Sequence, residues 1–356
     1  MGRTNDLVSL IQRRVERADY TLGGLPAERE LAAEAQVSRK TARKAIQTLI
    51  ERGLLDRSPN GRVVVRGGSE GGVCQLALLK PAINALGEVP LKLFQLADQA
   101  SVRLRPVEFV HWDDPVIGET LSAFSGVFVM PPAEPIPEAI VDRFRSSDAA
   151  VVVLNSDVAD LGLRCVDTCP TQNISTLLDH LRSLGHTQID CINTQPQHEI
   201  IQARIDAWVR WRVAHGIEGQ LYNQPVRSYE DARPAAYRLV GSILKDQQTQ
   251  GGPGLASAVL CTTTPAAVAA MRRFSEAGLR VGHDISVAAF DNEGVNRFLT
   301  PSLACLQQPD PTPYVKQCLD WMIAGGHPSE WEGPLLLRPE SIELFAGESV
   351  GPPANP

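Results

Sequence analysis

The chain has 356 residues, more than one compact core usually holds, so two or three domains are expected. Its net charge of −7 hides an asymmetry: residues 1–70 carry 13 Lys+Arg against 9 Asp+Glu, a balance of +4, which leaves 21 against 32, or −11, for the rest. A basic head on an acidic body excludes a nucleic-acid coat along the whole protein and confines phosphate binding to the head. No apolar run approaches the roughly 18 residues that cross a bilayer, and the opening Met1-Gly-Arg-Thr-Asn-Asp6 lacks the charged-then-apolar plan of a secretory signal. A cytoplasmic protein without a membrane partner is expected. Cys74, Cys165, Cys169, Cys191, Cys261, Cys305 and Cys318 form no Cys-x-x-Cys, so we read them as buried free thiols, with no metal and no cofactor.

Leu7, Val8, Leu10, Ile11 and Val15 recur at helical spacing and predict a first helix ending before Tyr20. Pro26 is expected to open a second helix, with Glu28 and Glu30 in its favourable first turn. Ser38 stands where an N-cap belongs, before the apolar positions Ala42, Ala45, Ile46 and Leu49 of a third helix that Gly53 stops. The opposite face carries Arg39, Lys40, Arg43 and Lys44. Arg39 and Arg43 are four apart, so their guanidinium forks project together and fit guanine O6/N7 or phosphate oxygens. Such a row could also be a solvated helix face. The segments 54–57 and 62–66 flank Ser58-Pro-Asn-Gly61, whose Asn-Gly is a hairpin signal. Three helices and a hairpin make a winged helix, a DNA-binding domain over 1–66.

This segment resembles the GntR family in Leu25-Pro-Ala-Glu-Arg-Glu-Leu-Ala32, Val37-Ser-Arg-Lys-Thr-Ala-Arg43, Leu49, Gly53-Leu-Leu55 and Asn60-Gly-Arg62. The resemblance implies that Arg39, Thr41 and Arg43 face the major groove, that Arg29 also contacts DNA, and that Gly61 enters the minor groove between Asn60 and Arg62. Lys40 and Lys44 are assigned to phosphates.

Gly67-Gly-Ser-Glu-Gly-Gly72 reads as a flexible linker, and a second domain is expected over 73–349, with 350–356 as a disordered tail. Buried-strand runs then alternate with helical patterns: strands at 74–79, 102–110, 126–130, 150–154, 188–192, 255–261 and 286–290; helices around 91–99, from Glu138, and at 174–184, 202–215 and 265–277. The alternation predicts an α/β body of two doubly wound lobes with parallel sheets, and ligands in such folds bind beyond the carboxyl ends of strands.

Within the body, His180-Leu-Arg-Ser-Leu-Gly-His-Thr-Gln-Ile189 and 271–291, which ends Ser286-Val-Ala-Ala-Phe-Asp291, are similar to the LacI/GalR-type effector domain with the periplasmic sugar-binding-protein fold. Arg204 in Ala-Arg-Ile-Asp-Ala-Trp208, Pro301-Ser-Leu303 with Gln307 and Gln308, and the closing Leu335–Leu344 stretch support it. GntR heads on LacI-type bodies are found among bacterial sugar-responsive repressors. The resemblance implies that Arg204 and Asp291 grip a ligand, that Tyr229 stacks on a sugar, and that Asn155 faces it from a strand end. A guanidinium and a carboxylate facing across a cleft can each hold vicinal hydroxyls at two points. An interlobe or core salt bridge is the other reading of that pair, and ordinary packing or loop polarity of Tyr229 and Asn155. The chain departs from the family at Thr263-Thr264, where Asn-Asp is usual, and at Gln172-Asn173, where Asp-Gly is usual. His186 is expected to cap the preceding helix.

No Gly-x-Ser-x-Gly elbow, Walker loop or His-Glu-x-x-His helix is present, and Asp113-Asp114, Glu340 and Glu343 suggest no paired acid and base. An aminotransferase-like body holding pyridoxal phosphate would need a longer chain and a lysine in a cofactor context. The expectation is therefore a non-enzymatic, cytoplasmic homodimer at the nucleoid: a repressor that binds an approximately palindromic DNA operator under control of a small carbohydrate effector. Leu91, Leu93 and Leu96 are candidates for the dimer face or for core. The alternatives are a body serving only dimerisation or partner contact, and a sugar-binding receptor protein.

Overall fold

The computed structural model describes residues 2–16, 19–20, 25–57, 63–65, 75–82, 87–132, 134–228, 230–250, 255–292 and 294–354. In the head, α1 (Gly2–Glu16), α2 (Glu28–Glu34) and α3 (Arg39–Glu51) precede a hairpin of β1 (Leu55–Arg57) and β2 (Val63–Val65). The strands run antiparallel, with Leu55 opposite Val65 and Arg57 opposite Val63. Leu7, Ile11, Leu31, Ile46, Leu49 and Leu55 meet in one core. Ser38 caps α3 from an extended backbone, its Oγ accepting from Thr41 N at 3.1 Å. Gly53, at φ 72°, takes the left-handed turn beyond the helix that side chains with a Cβ resist. The second helix starts later than Pro26. Ala27 is extended at ψ 153°, and Glu30 reaches back to accept its N–H at 3.0 Å, so the cap falls at Ala27 and the proline lies outside the helix. The turn holding Asn60, Gly61 and Arg62, the linker 67–72 and Cys74 lie outside the described residues.

The near lobe begins with β3 (Gln75–Pro81), α4 (Glu88–Gln99), β4 (Arg103–Phe109), α5 (Pro115–Ala123), β5 (Gly126–Val129), α6 (Glu138–Ser146), β6 (Ala150–Leu154) and β7 (Arg164–Val166). The far lobe follows as α7 (Ile174–Ser183), β8 (Ile189–Asn193), α8 (Glu199–His215), β9 (Leu221–Asn223), α9 (Ala232–Gln250), β10 (Ala258–Cys261), α10 (Thr264–Glu276), β11 (Ser286–Ala289) and β12 (Ala304–Leu306). The chain then returns to the near lobe for α11 (Thr312–Ile323) and β13 (Leu336–Leu337), and ends in the far lobe with β14 (Leu344–Phe345).

The near sheet has the order β13-β7-β6-β5-β3-β4 and the far sheet β14-β12-β11-β10-β8-β9. Every pairing in the two is parallel save β12 with β14. Each sheet is buried on both faces, which is why its central strands are continuous apolar runs such as Ala150–Leu154. The chain crosses between lobes three times, at 167–173, 307–311 and 338–343. On α4, Leu93 and Leu96 belong to the near-lobe core and only Leu91 of the three dimer-face candidates is exposed. The tail expected to be disordered is held at Gly351, whose N–H donates to Ser286 Oγ at 3.0 Å. Among the described residues no helix is long and apolar enough to cross a membrane.

Candidate functional site

The cations of α3 form the first site. Arg39, Lys40, Arg43 and Lys44 are all exposed, as is Arg29 on α2. Arg43 Nε lies 3.8 Å from Glu28 Oε1 with its side chain 74% exposed, a surface pairing that leans the fork toward α2 and holds it only weakly. Arg39, Lys40 and Lys44 have no ion-pair partner among the described residues. Thr41 is half-buried, and its Oγ1 lies 2.8 Å from Ser38 Oγ, so its hydroxyl serves the cap.

The second site lies where far-lobe strands end. Asp291 follows β11 and Arg204 projects from α8, and the two meet directly: Arg204 Nη1 is 3.0 Å from Asp291 Oδ2 and donates to Thr262 O at 2.7 Å. The expectation that they face each other across a cleft is corrected. Both belong to the far lobe, because α8 packs beside the edge at which β10 and β11 end. Asp291 Oδ1 also accepts from Thr264 N at 2.6 Å, so this carboxylate caps α10 from a distance. The Arg204 guanidinium lies 4.1 Å from the Phe290 ring centroid, and its buried Nε has no partner among the described residues.

Around this pair the far lobe supplies a polar wall. Thr263 is buried, and its Oγ1 accepts from Gln195 Nε2 at 3.0 Å. Asn193 accepts from Thr262 Oγ1 at 2.7 Å and donates to Asn223 Oδ1 at 2.8 Å. In the near lobe, Asn155 is exposed just beyond β6 in the left-handed region at φ 57°, its N–H donating to Val166 O at 2.7 Å. Asp167 follows at the first crossing. Burial pushes its carboxyl up, and the Cys169 N–H donated to it at 3.1 Å, with Arg204 after it, pulls it back only in part. Tyr229 lies outside the described residues.

His186 caps the preceding helix through its backbone, its N–H donating to Leu181 O at 3.4 Å beyond the left-handed Gly185, and its side chain has a further role. It is buried, with Nδ1 2.7 Å from Ser257 Oγ and Nε2 2.9 Å from Gly351 O, and so clamps the C-terminal segment to the lobe. Asp114 caps α5, accepting from Val116 N at 3.0 Å, and Asn173 donates to Pro170 O at 3.3 Å. Five of the six described cysteines are buried, while Cys169, within the first crossing, is half-buried.

Reasoning from sequence missed His198, Gln195 and Asp167. His198 precedes α8, and burial together with Arg204 drives its ring down to about 4. Gln195 and Asp167 each follow the end of a buried strand, where the rule for open α/β sheets would have sought them.

Fold and site define a winged-helix module joined to a two-lobed body of the periplasmic-binding-protein type. Residues 4–65 match the model of the bacterial regulatory proteins, gntR family, and residues 178–324 match that of the periplasmic binding protein-like domain. The probable HTH-type transcriptional repressor ExuR of Bacillus subtilis is 23% identical over 186 residues, 52% of this chain and 53% of that protein. The HTH-type transcriptional repressor PurR of Aliivibrio fischeri is 30% identical over 132 residues, 36% of this chain and 37% of its own. The chain spans about half the length of the first of these relatives. Among solved structures, the Lac repressor bound to ONPG in the repressed state aligns with a TM-score of 0.63 at 16% identity, covering 88% of this chain and 90% of that one. A LacI-family CcpA from Weissella paramesenteroides with bound glucose aligns at 0.62 with 15% identity, covering 78% and 98%.

Proposed function

We propose that this protein is a DNA-binding transcriptional regulator, a cytoplasmic homodimeric repressor and not an enzyme, whose hold on an approximately palindromic operator is set by a small ligand between the lobes. The observation that carries this reading is the joining, in one chain, of an exposed cationic helix behind a Ser38 cap to a body crossed three times by its chain, with Arg204 and Asp291 beside the first crossing. Arg39 and Arg43 read base edges, Lys40 and Lys44 hold phosphates, and Asn60, Gly61 and Arg62 of the wing reach the minor groove. A sugar or sugar derivative is the ligand class that suits the site, since Asn155, Arg204, Thr263 and Asp291 offer donors and acceptors for hydroxyls, with Tyr229 as the stacking ring. Crossing segments that bend would let ligand binding change the lobe angle and so the spacing of two heads, by the difference in affinity for the two states.

The test selects DNA from a random pool with the full chain, then measures affinity for the selected sequence at fixed salt against monosaccharides and sugar acids. A palindromic selected site, with affinity altered by one of these and unaltered for Arg204→Ala, is expected. Failure to enrich any sequence would overturn the DNA reading. Enrichment with no sugar effect would favour a second reading, a body serving dimerisation or partner contact alone. One observation speaks for that reading: Thr263, Gln195, Asn193, Thr262 and Asn223 already satisfy one another.

A further inference from the structure

A cavity of about 320 Å³ opens at the other edge of the near lobe, where β6 and β7 begin, among the end of α6, the end of α11 and the stretch before β13. Asn155 stands beyond the opposite end of β6, so the whole strand separates this cavity from the site between the lobes. The volume falls at the small end of ligand pockets, which span roughly 300–1,000 Å³. Its polar lining consists of Arg145, Arg164, Ser147 and the exposed Asp148, and Leu163 and Trp321 are part of its apolar wall.

Arg164 is the unusual member. Its guanidinium carbon lies 4.5 Å from the Trp321 ring centroid and 5.5 Å from that of Trp331, and the two rings meet edge to face at 5.2 Å. Nη2 donates to Pro328 O at 3.3 Å, while Nε is buried without a partner among the described residues. No carboxylate lies within ion-pair distance among the described residues, and burial lowers its hold on its proton. Arg145 differs: Nε donates to Leu161 O at 2.8 Å and Nη1 lies 3.6 Å from Asp142. A half-shielded guanidinium with no carboxylate partner among the described residues, beside a second cation and an apolar wall, is suited to an oxyanion that carries a hydrocarbon body.

We propose that this cavity is a second ligand site, taking a small organic anion whose carboxylate or phosphate seats on Arg164 and whose apolar body lies against Leu163 and Trp321. It stands apart from the regulatory reading. Such a ligand would tie the segment that returns from the far lobe to the start of β6 and β7.

Titration of the full chain with benzoate, phenyl phosphate and inorganic phosphate, by calorimetry and tryptophan emission, tests the site. Saturable binding of benzoate or phenyl phosphate is expected, with whichever binds more tightly identifying the head group. Arg164→Gln should weaken it by about tenfold, the loss of one charge-assisted contact. Trp321→Phe should keep the binding and reduce the emission change. Should Arg164→Gln fail to fold, Arg145→Gln is the second variant, expected to weaken binding several-fold. No saturable binding by any probe, or unchanged affinity in the variants that fold, overturns the proposal. So does binding that is lost in Arg43→Ala, which places the anion on the head, or in Arg204→Ala alone, which places it between the lobes.

Discussion

The arginines of the head and the arginine of the far lobe are used in opposite ways. On α3, Arg39 and Arg43 stand in solvent, whereas the Arg204 side chain is 11% exposed, bonded to Asp291 and Thr262 and laid over Phe290. An exposed fork keeps its water until a partner displaces it and leaves the fold indifferent to its presence. A buried fork has already given up its water, so it belongs to the fold first and to any ligand second. The same side chain thus stands exposed on the surface of one module and forms a structural joint in the other.

Stability measurements break the contrast most sharply. Arg204→Ala strands a largely buried Asp291 and should cost roughly 3–5 kcal/mol, seen as a lower urea midpoint at constant m. Arg43→Ala should stay within about 0.5 kcal/mol. Comparable costs for the two would erase the distinction.

His198 sharpens it through pH. Its ring sits at about 4 in the folded chain against 6.5 when unfolded, because burial and then Arg204 oppose its charge. The unfolded state therefore binds the extra proton between those values, and stability, complete above 6.5, declines as pH falls toward 4, by roughly 3 kcal/mol. Burial of His186 and His180 tilts the curve the same way, so the quantity to read is the difference between wild type and His198→Gln. Superimposable pH curves for the two would remove His198 from the account.

On DNA, Arg43→Ala should lose roughly 1–3 kcal/mol at a cognate guanine and relax base choice there. Lys44→Ala should weaken all sequences alike and lower the salt slope by about 1. If Arg43→Ala loses equally on selected and random DNA, it holds phosphate only. The smallest effect belongs to the cap: Ser38→Ala should cost about 1 kcal/mol of thermal stability and Ser38→Asp almost none.

What the sequence revealed was governed by range. Ser38, Gly53 and the hairpin flanks were legible because their partners lie within a few residues. Strand β6 was legible as an unbroken apolar run. Helix α9 was not: its buried face of Ala236, Leu239, Val240 and Ile243 is followed by the polar Lys245-Asp-Gln-Gln-Thr-Gln250, which hides the period. Strands β13 and β14 have two residues each, too few to show any period. Arg204 and Asp291 were recognisable as residue types, but not as each other's partners, because α8 and β11 meet only in the folded lobe. The partners of the His186 ring were hidden for the same reason, since they are 71, 100 and 165 residues away, whereas its backbone cap on the preceding helix was legible.

The three crossings constrain how the chain is born. The near lobe owns an early segment, through β7, and a late one, α11 and β13, with the whole far-lobe helical layer between them. On a ribosome, the head can close its own core as soon as Val65 emerges, but the early near-lobe strands must wait for Leu336 with one flank uncovered. The half-built body therefore carries an uncovered strand flank at a stage when the cationic head can already have closed its core.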